Sequence, residues 1–215
     1  MPDGNIDTVM AAVASLQSRL QFGAIFVSNR QGEIAGTLPM GLIECESSAS
    51  GRAPDIIVSF SYNENVAVSG KSGVSYASSV NRRGDHGSFS PTDTHISMMI
   101  SGPDFKFGFY DTLPTANVDI APTIARILQF NMPAVQGRAL EEALRGGPPV
   151  TEYAVLNNTH RSSTRSGLTV KLPTDLDRRA IDPKLTRYSV ELKTKILTRG
   201  GASYTYFDQA GAVRE

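Results

Sequence analysis

A Gly-Gly-Pro-Pro run at 146–149 divides the 215-residue chain into two stretches of different periodicity. Paired glycines and prolines interrupt both helix and sheet, so regular structure must end on one side of this run and restart on the other. Before it, helical and strand-like periods alternate. Ile6, Val9, Met10, Val13, Leu16 and Leu20 recur at steps of three and four, which predicts an amphipathic helix over 5–20, capped by Asn5 or a nearby aspartate. FGAIFVS (22–28), closed by the turn NRQGE, predicts a strand, as do APDIIVSFSY (53–62) and HISMMIS (95–101), the last ended by Gly102-Pro103. NVDIAPTIARILQF (117–130) reads as a helix with Asp119 as N-cap, Pro122 in the first turn, and Asn131 and Pro133 as the stop. ALEEALR (139–145) reads as a short helix.

After the run the texture changes. TEYAVLN, GLTVKL, RYSVELKTKIL and ASYTYFD are alternating or β-branched, with turns between them, which predicts a small antiparallel region. The expected class is therefore α/β: residues 1–145 form a sheet with flanking helices, and residues 150–215 form a β-rich extension. Residues 22–28, 53–62 and 95–101 are expected in one sheet. The stretch 63–94 reads mostly as loop, and loops of that length are usually functional or disordered.

Charge and cysteine content narrow the function classes. Twenty-one basic residues balance twenty-one acidic ones, so the basic excess of a phosphate-backbone binder is missing and nucleic acid is not an expected partner. Cys45 is the single cysteine, which rules out an internal disulfide. MPDGNIDTVMAAV has neither the basic nor the apolar region of a signal peptide. No apolar run reaches the length of a membrane span. The compartment is left open.

The chemistry-bearing stretch is GDHGSFSPTD (84–93). His86 lies between glycines that permit sharp turns and close approach, which suits a metal ligand, a general base or a plain turn residue. The longer segment NRRGDHGSFSPTDTHISMMISGPDFKFGFYDTLPTANVDIAPTIARIL (81–128) resembles the C-terminal catalytic segment of the alkaline phosphatase superfamily, most closely its type I phosphodiesterase and nucleotide pyrophosphatase branch, with sulfatases as cousins. The resemblance is carried by His86-Gly87, then Gly102-Pro103-Asp104-Phe105 with Lys106, then Asn117-Val118-Asp119, in that order and spacing. Each piece alone is weak; the ordered set is specific. GTLP (36–39), RAPDIIVSF (52–60) and the tail RYSVELKTKILTRGGASYTYFD also resemble members of the family.

The resemblance implies a partial alkaline-phosphatase-like sheet and a hydrolase of phosphodiester or pyrophosphate-type esters with two metal ions, commonly zinc. It makes His86 the late histidine that completes one metal site, a role an imidazole fills well. It places the nucleophile and most other ligands in an N-terminal part of the fold, so this chain reads as the last third of such an enzyme, inactive alone. No catalytic residue is assigned within it. The substrate class is a small-molecule phosphate ester, or a sulfate or phosphonate ester if the chain belongs to a cousin on the same fold. A non-catalytic truncated homologue is the remaining alternative.

Other residues carry blander readings. Asp85 departs from the late motif and is not expected to bind metal. Ser88 and Ser90 lie outside a Gly-x-Ser-x-Gly elbow and read as loop residues. His95 reads as a packed or hydrogen-bonded histidine, His160 as surface, Cys45 as without catalytic context, and Lys71-Ser72-Gly73 as a solvated turn. Arg83-Gly84-Asp85 is an adhesion tripeptide of the kind that arises by chance. Asn157-Asn158-Thr159 is a glycosylation sequon, meaningful only after secretion.

Overall fold

The structure is a computed structural model that describes residues 5–46, 53–68, 70–75, 88–133, 135–170 and 185–215. It is mixed α/β, with three small sheets and few helices. Two compact units divide the chain. The first holds Met1–His95, Thr159–Leu192 and Gln209–Glu215; the second holds Ile96–Asn158 and Lys193–Asp208.

The first unit begins with α1 (Ile6–Gln17), whose N-terminus is capped by Asn5 accepting from the Asp7 N–H. Val9 and Val13, four residues apart, are fully buried, so the apolar stripe faces inward as its period requires. β1 (Phe22–Val27) follows and is buried along nearly its whole length. It is the middle strand of a sheet of order β2-β1-β3, parallel to β2 (Leu38–Pro39) and antiparallel to β3 (Ile56–Phe60). A central strand covered on both faces needs the continuous apolar run that FGAIFV supplies.

β4 (Tyr62–Val68) and β5 (Lys71–Ser75) form a hairpin, so part of the stretch expected as loop is sheet. Gly70 takes the positive φ of the tight turn. Lys71-Ser72-Gly73, read as a turn, belongs to β5.

Tyr188 holds this unit together. It is fully buried on β7 (Tyr188–Arg199), and its hydroxyl donates to the Gly23 carbonyl of β1. The Arg214 guanidinium lies over its ring at 4.7 Å and donates to the carbonyls of Gln17 (2.7 Å), Arg19 (2.9 Å) and Phe22 (3.2 Å). A cation thus satisfies carbonyls at the C-terminal end of α1, where the helix dipole favours positive charge.

Among its described residues the tail is mainly β, as the sequence predicts, except that 167–170 of the expected GLTVKL strand lie in no strand. β6 (Ala154–Arg161), β7 and β8 (Ala202–Arg214) form a sheet of order β6-β7-β8, with residues in both units. β7 and β8 are joined by Gly200-Gly201, both at positive φ, the conformation two-residue hairpin loops demand.

In the second unit, Asn117–Asp119 is a 3-10 turn that leads into α3 (Ile120–Ile127). The helix closes before Asn131 and Pro133. Gln129 takes a left-handed φ of 58°, its N–H bonds to the Arg126 carbonyl, and the Phe130 N–H bonds to Ala125, which is a Schellman closure with glutamine in the position glycine usually holds. ALEEALR is not a helix beyond the single 3-10 turn Glu141–Ala143. Gly147 packs so close to the Glu141 carbonyl that a Cβ there would lie at 1.8 Å, so the Gly-Gly run folds back on the turn and prevents its propagation.

Residues 95–101, expected as a third strand of the first sheet, are in no strand. His95 closes the short helix α2 (Pro91–Thr94), and 96–101 has no regular secondary structure and is largely exposed. Its side chains have the strand pattern, but a strand exists only with a ladder partner. Among the described residues none supplies one.

Removing the Tyr188 hydroxyl tests the tie between β7 and β1. Tyr188→Phe keeps the ring and leaves the Gly23 carbonyl without this donor, so unfolding in urea should show a loss of about 1–3 kcal/mol with an unchanged denaturant slope.

Candidate functional site

His86, the expected metal ligand, and its neighbour Asp85 lie outside the described residues. The structure does fix the residues that follow, from Ser88 onward. The Phe89 N–H donates to the Ser59 hydroxyl of β3 (3.1 Å), and the Phe89 carbonyl accepts from the Ala210 N–H of β8 (3.0 Å). Its ring meets Phe26 of β1 edge to face at 5.3 Å. Residue 89 is therefore held by backbone and ring together, three positions after His86.

The serines and the aspartate beyond it are committed to local structure. The Ser88 N–H donates to Asp93 Oδ2 at 3.0 Å, and the Ser88 and Ser90 hydroxyls share a hydrogen bond of 2.8 Å. Buried Ser90 lends its carbonyl to the N–H groups of Asp93 and Thr94 and to the Thr94 hydroxyl. Ser88 and Ser90 are loop and turn residues, in line with the sequence reading. His95 is exposed, His160 is half-buried on β6, and Cys45 is an exposed free thiol whose pKa is raised by burial and by Glu44. Among the described residues no group of three or more His, Cys, Asp or Glu side chains is placed to hold a metal ion.

The two downstream pieces of the resemblance fall in the second unit, where both are scaffolding. Gly102-Pro103-Asp104-Phe105 is a turn, with Phe105 N–H on the Gly102 carbonyl, and Phe105 bridges to Leu144. Lys106 points its ammonium at the carbonyls of Glu142 (2.8 Å) and Gly147 (3.2 Å) and lies 5.3 Å from the centre of the Phe109 ring. Its charge pins the Gly-Gly-Pro-Pro turn and is spent there.

Asp119 is fully buried and does not cap α3 with its side chain. Its Oδ1 accepts from the Arg138 N–H (2.9 Å), its Oδ2 from the Ala116 N–H (2.9 Å), and both oxygens lie within 3.2 Å of the Tyr206 hydroxyl. Tyr206 in turn accepts from Arg138 Nε at 2.9 Å. Arg138 forks onto Glu142, Nη1 to Oε2 at 2.7 Å and Nη2 to Oε1 at 2.6 Å. Paired charges with this bidentate geometry are the form in which buried ions are tolerated. Gly137 makes the approach possible, because a Cβ there would meet the Val118 carbonyl at 2.1 Å.

Glu142 and Asp111 respond differently to the same surroundings. Burial opposes the Glu142 charge, yet the Arg138 fork and neighbouring donors hold its carboxyl below its ordinary range. Asp111 Oδ2 is buried with no donor facing it. Burial, reinforced by the Glu142 charge, pushes Asp111 up to about 6, against the lowering effects of the Leu113 N–H and Arg138. A second negative charge beside Glu142 is disfavoured, so the neighbouring carboxylate and burial act on Asp111 in the same upward direction. Burial likewise raises Tyr206, and Tyr153, whose ring lies between the guanidinium groups of Arg138 and Arg199, is pushed up to about 12 by burial and by Glu142.

This ion cluster escaped sequence reading. Asp119, the Arg138–Glu142 pair and Tyr206 are far apart in the chain. The only local signals are Gly137 before Arg138 and the i, i+4 spacing of Arg138 and Glu142. Comparison with family models, curated proteins and solved structures gave no match.

Two substitutions separate the roles of the carboxylates. Asp119→Ala strips a partner from three donors, one of them on the residue that carries the buried arginine, and should cost about 3–5 kcal/mol of stability in urea unfolding. Asp111 has a folded pKa raised from its ordinary 3.8 to about 6, so its stabilisation is fully present below that ordinary value and is lost as pH rises through about 6. Asp111→Asn cannot ionise. Its stability relative to the wild type should therefore improve steadily as pH rises across that window. A difference that stays flat with pH would show that Asp111 does not hold the proton.

Proposed function

We propose that the chain is the C-terminal part of a metal-dependent hydrolase of phosphodiester or pyrophosphate-type esters, resembling the alkaline phosphatase superfamily. In this reading His86 supplies one ligand to a two-metal site, the nucleophile and the remaining ligands come from other polypeptide, and the chain alone is inactive. The carrying observation is the ordered set His86-Gly87, Gly102-Pro103-Asp104-Phe105-Lys106 and Asn117-Val118-Asp119. The fixed position of Phe89 supports the reading, because a ligand on a loop is useful only if the loop is tethered close by.

The chemistry is that of in-line displacement. Two ions about 4 Å apart stabilise the attacking and the leaving oxygen together. A neutral imidazole binds zinc at about 2.0–2.1 Å, and such a site needs about three protein ligands with one position open. One histidine meets only a third of that requirement, so metal affinity and turnover depend on the ligands that join it. Phosphate, sulfate and phosphonate esters share this displacement geometry, and the nucleophile segment separates them.

The test uses residues 1–215 with zinc or manganese and aryl phosphodiester, phosphomonoester and sulfate ester substrates. Hydrolysis should not exceed that of His86→Ala, and calorimetric titration should find one weak zinc site that His86→Ala abolishes. Turnover well above the His86→Ala control would mean a complete site within the chain. Zinc binding that survives the substitution unchanged would remove His86 from the metal site.

A further inference from the structure

Asp111 and Thr115 form part of the wall of an open cleft of about 910 Å³ in the second unit. Asp111 Oδ1 accepts from the Leu113 N–H at 3.0 Å, which closes a tight turn, while Oδ2 is buried and meets no donor. The same turn reaches the buried ion pair through the Pro114 carbonyl, which accepts from Arg138 Nη2 at 3.3 Å.

Among the described residues no cation is left to meet Oδ2. Every N–H of Arg138 is taken. Nε donates to the Tyr206 hydroxyl, Nη1 to Glu142 Oε2 and the Ala139 carbonyl, and Nη2 to Glu142 Oε1 and the Pro114 carbonyl. Lys106 lines the same cleft, but its ammonium is directed at the carbonyls of Glu142, Gly147 and Pro148. Arg199 donates to Glu141 and Glu152. Behind Arg138 the Tyr206 hydroxyl lies against Asp119, and Tyr153 bears on Glu142. The Glu142 carboxylate beside Asp111 offers only lone pairs and a like charge. A charge on Asp111 in its buried position therefore stands unpaired, and that is the costly state for a carboxyl.

We propose that the Asp111 carboxyl is a proton-operated latch on this cleft: neutral, it stays buried and holds the turn 111–115 against the Arg138–Glu142 pair; ionised, it moves out to water and takes that wall of the cleft with it. Burial and the Glu142 charge push Asp111 up to about 6, with the Leu113 N–H and Arg138 acting the other way. The folded value lies above the ordinary 3.8, so the held form is fully favoured below that ordinary value and gives way as pH rises through about 6. Arg138, Glu142 and Asp119 keep one another's company in both states, so the movement is confined to the turn. The latch uses no residue of the proposed metal site and stands or falls apart from it.

Hydrogen exchange at the Leu113 amide of residues 1–215, corrected for the intrinsic pH dependence of exchange, reads the latch. Its protection should fall about tenfold from about pH 5 to about pH 7.5, the change that linkage gives for a carboxyl moved from 3.8 to about 6. The Ala116 amide, held by Asp119, should keep its protection over the same range. Asp111→Asn retains an acceptor for Leu113 and cannot ionise, so its Leu113 protection should not vary with pH. A carbon-13 carboxyl titration of the wild type should place the Asp111 midpoint near 6. If the variant fails to fold, that titration and the comparison of Leu113 with Ala116 decide the matter. Leu113 protection that is flat or rises with pH, a parallel loss at Ala116, an unchanged pH response in Asp111→Asn, or a midpoint near 3.8 would each overturn the latch.

Discussion

A carboxylate taken out of water must have its charge met from several directions at once, and Asp119 is such a group. Its two oxygens accept from the backbone of Ala116, the backbone of Arg138 and the hydroxyl of Tyr206. These partners come from the turn before α3, from the loop before Leu140, and from β8. One side chain thereby sets where three pieces of the second unit end. Arg138 then carries the constraint outward to Glu142 through two short bonds, and Thr123 takes up the Asp119 carbonyl and passes its own oxygen to the Leu140 N–H. Apolar packing in this unit is thin, with Ala125 and Leu140 among its few buried apolar residues. The polar cluster is correspondingly important to its shape, because each member is expensive to leave unpaired.

The first unit is organised in the opposite way. Its core is an apolar strand, with Ala24, Ile25, Phe26 and Val27 all buried, and its buried polar groups are uncharged side chains such as Gln17, Ser28 and Ser59. Tyr188 and Arg214 clamp the ends of α1 and β1, and Phe89 attaches the segment leaving the His86 loop to the same sheet. That difference bears on robustness. Apolar cores tolerate volume-conserving exchange, whereas a shared buried carboxylate tolerates almost none.

How much could be read in advance followed the range of each interaction. α1, β1, β3, α3 and the β tail were legible, because a period of 3.6 or 2 and a nearby breaker are local facts. The hairpin β4–β5 was missed because its strands are polar and short, with an alternation weaker than the Asn, Glu and Ser around it suggested. HISMMIS was read as a strand for its side chains, yet a strand is a relation between two segments, and sequence displays only one. Asp119 was read as a cap because an aspartate before a helix usually is one. Its true partners, at 138 and 206, are invisible to any local rule. At the candidate site itself, only the loop's composition was legible, and the roles of Ser88, Ser90 and Asp93 in tying the exit together came from the structure.

The scaffolding role of the downstream motif pieces changes the weight each part of the resemblance carries. Lys106 is directed at the carbonyls of Glu142 and Gly147, and fully buried Asp119 at its three donors, so both are engaged in holding the unit together. These pieces therefore argue for an architecture, and chemistry has to be argued from other groups. Among the described residues of the second unit, Asp111 is the carboxyl with a buried oxygen that no donor meets, and burial with the Glu142 charge pushes it up to about 6. Within the first unit, Ser88, Ser90 and Asp93 are hydrogen-bonded to one another.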